Sequence, residues 1–287
     1  MSLAERIPVH TAEMAAGVRN RILILDVERL PGITQQRWWS RGDLKNRYIH
    51  HETVIREPRT TIVCCKWHDE PEVMRFAEWD KGGRGTFLKR VHSLVSQADI
   101  IVGHNVDGAD IPWLLGDFYL PRIGHPHVPN LPLLPDIGPT GVIKTVDTLK
   151  ILRKRFKTGM PFKGLDAALQ ILGHSGKTDR YDPDAMERAV AGSIEDRERL
   201  VDYCEGDVIG GQWIYDWSRP HHKSHPHLFV DGQSSLTTCN RCGHETGDAA
   251  RRYIANVLSY SMRKCTSCGA YSRLSLEPER LSIVRGV

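Results

Sequence analysis

The chain has 287 residues, enough for one well-buried unit of about 200 residues and a small appendage. Its 39 Lys and Arg against 35 acidic residues leave a net charge of +4, which permits a nucleic-acid partner without demanding one. No apolar run is long enough to cross a membrane, and Met1 to Asn20, with Glu5 and Glu13, lacks the apolar stretch of a secretory signal.

Arg21 to Val27 (RILILDV) is a short, nearly continuous apolar run, the mark of a buried strand, and Pro31-Gly32 ends it. Residues 33–58 carry Trp38, Trp39, Tyr48 and a His50-His51 pair and take no clear assignment. Thr60 to Trp67 and Glu72 to Trp79 read as strands joined by Asp69-Glu70-Pro71, hence a hairpin. Phe87, Val91, Leu94 and Val95 have helical spacing over Thr86 to Ala98, and Asp99 to Gly103 is a second buried strand. A helix is expected from Asp110 to Leu120, followed by a proline-rich loop over 121–139. Val146 to Phe156 reads as strand or helix. Further helices are expected at 164–172, 183–191 and 194–217.

Strands come first and then alternate with helices, which predicts an α/β fold with a mixed sheet flanked by helices. Arg219 to Ser224 breaks the pattern. The expected organisation is an N-terminal extension (1–20), a main domain (21–219), and a linker with a small module (220–287). From Arg219 onward there are ten Lys and Arg and five acids, so the last piece is basic. Its linker histidines, His221, His222, His225 and His227, are interleaved with proline and read as solvated.

Three short patterns carry chemistry. Asp26 and Glu28 stand two apart at the end of the first strand and therefore share a face. Two carboxylates on one face repel each other, and a hard divalent cation relieves the repulsion. Asp110 falls in the first turn of the helix after the second buried strand, within GHNVDGADIPWL; Asp107 competes with it. Tyr203 and Asp207 are four apart on a predicted helix and so lie on one face. Taken singly, each also fits a solvated or helix-capping acid.

Taken in order, they resemble the DEDD, or DnaQ-like, superfamily of 3′–5′ exonucleases, tyrosine subclass, which has a ribonuclease-H-like fold. Asp26-Val27-Glu28 looks like its first motif, GHNVDGADIPWL its second, and Tyr203 to Asp207 its third. Ala109 departs from the pattern, where an aromatic residue is usual. The resemblance covers residues 21–217 and is nearest to stand-alone phage and bacterial enzymes.

It implies catalytic residues Asp26, Glu28, Asp110, Tyr203 and Asp207, with the four carboxylates holding two Mg²⁺ or Mn²⁺ ions and Asn105 contacting the 3′-terminal nucleotide. It also implies hydrolysis from the 3′ end of nucleic acid, with single-stranded DNA as the expected substrate ahead of RNA. Two other readings remain: a non-catalytic nucleic-acid-binding protein on the same fold, and a structure-specific endonuclease. The histidine subclass would use His174 and Asp179, which are five apart but lie in a turn, HSGKTD. Ile171 stands where a phosphate-binding loop needs glycine, so nucleotide binding there is excluded.

Cys239-x-x-Cys242-Gly and Cys265-x-x-Cys268-Gly are matched knuckles 22 residues apart. Four thiolates in tetrahedral array select one structural Zn²⁺, and the segment resembles a zinc ribbon. Zinc cysteines rather than disulfides indicate a reducing compartment, so the expected location is cytoplasmic, the host cytoplasm for a phage-encoded chain. A basic zinc module suits nucleic acid, and equally a docking role toward replication or repair proteins. Lys150, Arg153, Lys154, Arg155 and Lys157 form a further basic cluster able to meet phosphates.

Overall fold

The computed structural model describes residues 20–35, 49–125, 129–159, 161–176, 179–222, 224–228, 237–239, 241, 244–255, 258–273 and 279–280. Trp38, Trp39, Tyr48, Cys242 and the N-terminal extension up to residue 19 lie outside these.

The first strand, β1 (Ile22–Leu30), is buried along its apolar residues on both faces, which is why its sequence runs apolar instead of alternating. Ile22, Ile24 and Leu30 join one core, and Leu23, Leu25 and Val27 join another on the opposite face. β2 (Ile33–Thr34) and β3 (Val54–Arg56) form a small antiparallel pair in the stretch that the sequence left unassigned. β4 (Arg59–Trp67) and β5 (Met74–Ala77) are the expected hairpin. α1 (Gly83–Val95) and β6 (Ile100–Gly103) follow, then α2 (Asp110–Tyr119).

The proline-rich segment contains one element that its composition hides. β7 (Ile137–Gly138) pairs in parallel with β8 (Ile143–Asp147). The ambiguous stretch 146–156 is both things at once: β8 ends at Asp147, whose side chain accepts from the Lys150 N–H and caps α3 (Thr148–Arg155). α4 (Leu165–Ile171), α5 (Pro183–Ala191) and α6 (Ile194–Ser218) complete this part.

The six-stranded sheet has the order β5-β4-β1-β6-β8-β7. β1, β4 and β5 are antiparallel neighbours, while β1–β6, β6–β8 and β7–β8 are parallel. One face packs against α5 and α6, the other against α1 and α2. The protein is thus a mixed α/β structure with a mixed sheet flanked by helices, as the order of elements predicts.

α6 is a 25-residue helix capped by the Ser193 side chain, which accepts from the Asp196 N–H. Its glycines allow close packing: a Cβ on Gly210 would lie 3.0 Å from a Leu169 methyl. Beyond α6, His221 and His227 are exposed as expected, whereas His225 departs from the solvated reading. His225 is buried and hydrogen-bonded to the Tyr215 hydroxyl (2.8 Å), and Leu228 joins the α6-side core. The Tyr215 ring beside it, rather than local polarity, decides the burial of His225. A separate sheet follows, made of β9 (Thr246–Ala255), β10 (Leu258–Cys265), β11 (Tyr271–Arg273) and β12 (Glu279–Arg280).

Candidate metal centre and cysteine cluster

Asp26 and Glu28 fall on the same strand positions, every second residue, as Ile22, Ile24 and Leu30, so they project from β1 toward the α5 and α6 face. Asp207 is buried on α6, which crosses that face. Carboxylate oxygens of Asp26, Glu28 and Asp207 all lie within 4.8 Å of one another. Two side chains 178 residues apart also meet here: the Cys204 thiol donates to the Asp26 carboxylate at 3.5 Å. Burial and the surrounding acids raise that thiol's pKa well above its usual value, so it stays protonated.

Asp110 arrives from the other side of β1. β6 stops at Gly103, where a Cβ would lie 3.1 Å from the Leu25 carbonyl oxygen and 2.9 Å from Val106. The chain then turns through Asn105, which has φ of 75°, a left-handed conformation that asparagine tolerates better than most residues. This turn delivers Asp110 to the start of α2, where the backbone N–H groups of Val27 and of Asp110 itself donate to its carboxylate.

The Asp110 side chain is almost wholly enclosed. Burial pushes its pKa up to about 7; Asp147 and Asp207 push in the same direction, against the two N–H donors. Asp107, its sequence competitor, points elsewhere and pairs with Lys150 at 2.8 Å. Tyr203 is half-buried one helical turn before Asp207, and Asn105 is half-buried with its N–H on Asp147 at 3.2 Å.

Sequence reasoning missed Asp147. It is buried, ties the Asn105 turn to α3, and adds charge beside Asp110. The only signal was an Asp immediately before a helix, which reads as a cap. His174 and Asp179 do not join the acidic group: His174 packs edge-on against Trp213, and Asp179 is held by Arg199 at 2.7 and 2.8 Å.

The acidic group offers only hard oxygen donors, brought together at a cost that positive charge would remove. That donor set fits a divalent cation such as Mg²⁺ or Mn²⁺.

The second candidate centre is made of soft donors. The sulfur atoms of Cys239, Cys265 and Cys268 lie within 4.8 Å of one another, Cys239 and Cys268 at 3.7 Å. The N–H of Arg241 donates to the Cys239 sulfur and that of Cys268 to the Cys265 sulfur, each at 3.4 Å. Cys239, Cys265 and Ala270 are the buried apolar cluster of this part among the described residues. Three sulfur donors this close could hold a metal ion.

No protein-family model and no curated protein matches the chain. Among solved structures, it is similar to the family B DNA polymerase from the hyperthermophilic archaeon Pyrobaculum calidifontis, at 17% identity and a TM-score of 0.48. The likeness covers 87% of this chain and 32% of that one, so the chain spans about a third of the polymerase's length. No helix among the described residues is long and apolar enough to cross a membrane.

Proposed function

We propose that the protein is a metal-dependent 3′–5′ exonuclease of the DEDD tyrosine subclass, with a ribonuclease-H-like unit over 21–219 and a zinc ribbon within 220–287. The observation that carries the reading is the convergence of Asp26, Glu28 and Asp207 within 4.8 Å, with Asp110 bonded to the Val27 N–H between the first two. The mixed sheet with helices on both faces supports the same reading.

Hydrolysis of a phosphodiester needs an activated water, neutralised charge and an in-line approach, and a pair of bound divalent ions supplies these. Asp26, Glu28, Asp110 and Asp207 would hold the ions. Tyr203, on the Asp207 face of α6, orients the attacking water; its hydroxyl is a poor base near neutral pH. Asn105, at the turn before α2, contacts the terminal nucleotide. Water adds its oxygen to phosphorus, the bond to the preceding 3′ oxygen breaks, that oxygen takes up a proton to replace the one water gives up, and a nucleoside 5′-monophosphate leaves.

Single-stranded DNA and RNA 20-mers labelled at the 5′ end test this, with Mg²⁺, with Mn²⁺ and with neither, beside Asp26→Ala. A ladder shortening from the 3′ end, metal-dependent and absent in the variant, is the expected result. Binding without cleavage in either metal would establish the non-catalytic reading instead, and internal cuts confined to structured substrates the endonuclease. Tyr203→Phe is expected to slow cleavage by about 10- to 100-fold, less than loss of a carboxylate ligand, because orientation is lost while the ions stay. Equal damage from both would refute that division of roles.

The three described cysteines, with Cys242 as fourth ligand, would hold one Zn²⁺. Cys265→Ser is expected to release about one zinc per chain and to melt only the β9–β12 part. Residues 21–219 should keep their thermal transition, followed by metal analysis and hydrogen exchange. Collapse of the whole chain would contradict the proposed boundary.

A further inference from the structure

One face of the C-terminal sheet gathers aromatic and basic side chains. The register places Tyr253 opposite Tyr260, Met262 opposite both Arg251 and Arg273, and Lys264 opposite Tyr271. Side chains opposite each other across strands share a face, so these seven form one patch across β9, β10 and β11.

The rings are accessible. Tyr253 is 42% and Tyr271 39% exposed, and Arg251, Lys264 and Arg273 are exposed as well. The tyrosines and arginines interleave: the Arg273 guanidinium lies 4.9 Å from the Tyr260 ring and 5.5 Å from Tyr253, and Arg251 lies 5.3 Å from Tyr271. The Tyr253 and Tyr260 ring centroids are 6.5 Å apart. None of these paired positions carries a carboxylate, in contrast to Arg59, Arg84 and Arg122, which are all neutralised by acids.

We propose that this face is a binding platform for single-stranded nucleic acid, with bases stacking on Tyr253, Tyr260 and Tyr271 and phosphates meeting Arg251, Arg273 and Lys264. Stacking on exposed rings, combined with cations that have no acid partner among the described residues, suits a flexible strand with unpaired bases. A duplex hides its bases and would leave the tyrosines without a role. The proposal deepens the nuclease reading, on which it rests for the identity of the strand, by giving the 3′-directed substrate a second hold away from the carboxylates.

The test uses the full-length, zinc-loaded chain and 5′-fluorescein dT and rU 20-mers, with Mg²⁺ and Mn²⁺ omitted, read by anisotropy. Arg251→Gln with Arg273→Gln is expected to weaken binding at least about 10-fold and to make the salt dependence shallower by about 1.4 log units per log unit. Tyr253→Ala with Tyr271→Ala is expected to weaken it at least about 10-fold with the salt slope unchanged; Tyr→Phe at both should bind as the parent does. Should the alanine pair lose zinc, the glutamine pair alone decides.

Both platform variants should cleave the p-nitrophenyl ester of thymidine 5′-monophosphate at the parental rate, since so short a substrate does not reach the platform. Variants that bind and degrade 20-mers like the parent overturn the platform, and so does a preference for duplex. A parent chain that binds through the platform and cleaves neither substrate overturns the nuclease reading and leaves the platform standing.

Discussion

Asp207→Asn is expected to lower metal-dependent cleavage by at least about 10³-fold while the metal-free protein keeps its fold. The substitution preserves volume and one acceptor oxygen but removes a negative charge from a site built on charge. Asp207 is buried on α6, its oxygens within 4.8 Å of those of Asp26 and Glu28, and it adds to the repulsion felt by Asp110. Loss of an outer-shell partner alone typically costs 10- to 100-fold in metal affinity or activity, so loss of a ligand should cost more. The metal-free fold has no comparable stake in that charge, and losing it relieves like-charge crowding. Initial rates on a 5′-labelled strand, with a calorimetric titration of Mn²⁺, measure both halves. Activity within about tenfold of the parent, at any Mn²⁺ concentration, would remove Asp207 from the ligand set.

The second large effect concerns stability. Asp110→Asn is expected to stabilise the metal-free protein at pH 8 by on the order of 3–4 kcal/mol, which for a domain of this size is roughly 6–16 °C in melting temperature. The cause is enclosure: the Asp110 carboxyl has its pKa pushed up to about 7 by burial, from an ordinary value of 3.8, with Asp147 and Asp207 adding to it.

A carboxyl whose folded pKa is raised disfavours the folded state once it ionises. Below the unfolded value both states carry the proton, and the group has no effect. As pH rises from about 4 to about 7, the unfolded chain ionises first and stability falls; above about 7 the full cost persists. The gain from asparagine should therefore be near zero at pH 4, intermediate at pH 5 to 6, and largest at pH 8.

Divalent ions should reverse the order, stabilising the parent more than the variant, because the charge that burdens the metal-free protein is what would hold the ion. Melting curves across pH, with and without Mn²⁺, are the measurement. A pH-independent difference between parent and variant would refute the assignment.

Much of this was legible beforehand because it depends on short-range regularities. The apolar runs of β1 and β6, the hairpin of β4 and β5, and the helical spacing of α1, α5 and α6 follow from period and punctuation. The D-x-E, Y-x-x-x-D and double Cys-x-x-Cys spacings name donors whose relative placement is local: two apart on a strand, four apart on a helix, three apart in a knuckle. By itself the sequence therefore determined the mixed α/β class, the sharing of a face by Asp26 with Glu28 and by Tyr203 with Asp207, and the soft-donor character of the C-terminal pairs.

Only the tertiary structure decided what depends on distance between elements. It brought Asp207 to Asp26 across 181 positions and placed Asp110, rather than Asp107, against β1. It made Asp147 a participant and buried His225 against Tyr215. It also aligned three tyrosines and three cations on one face of the C-terminal sheet. These outcomes depend on strand register and on where β6 and α6 pass β1. Such relations are long-range, because a one-residue slip in register turns every side chain to the opposite face while leaving each local pattern unchanged.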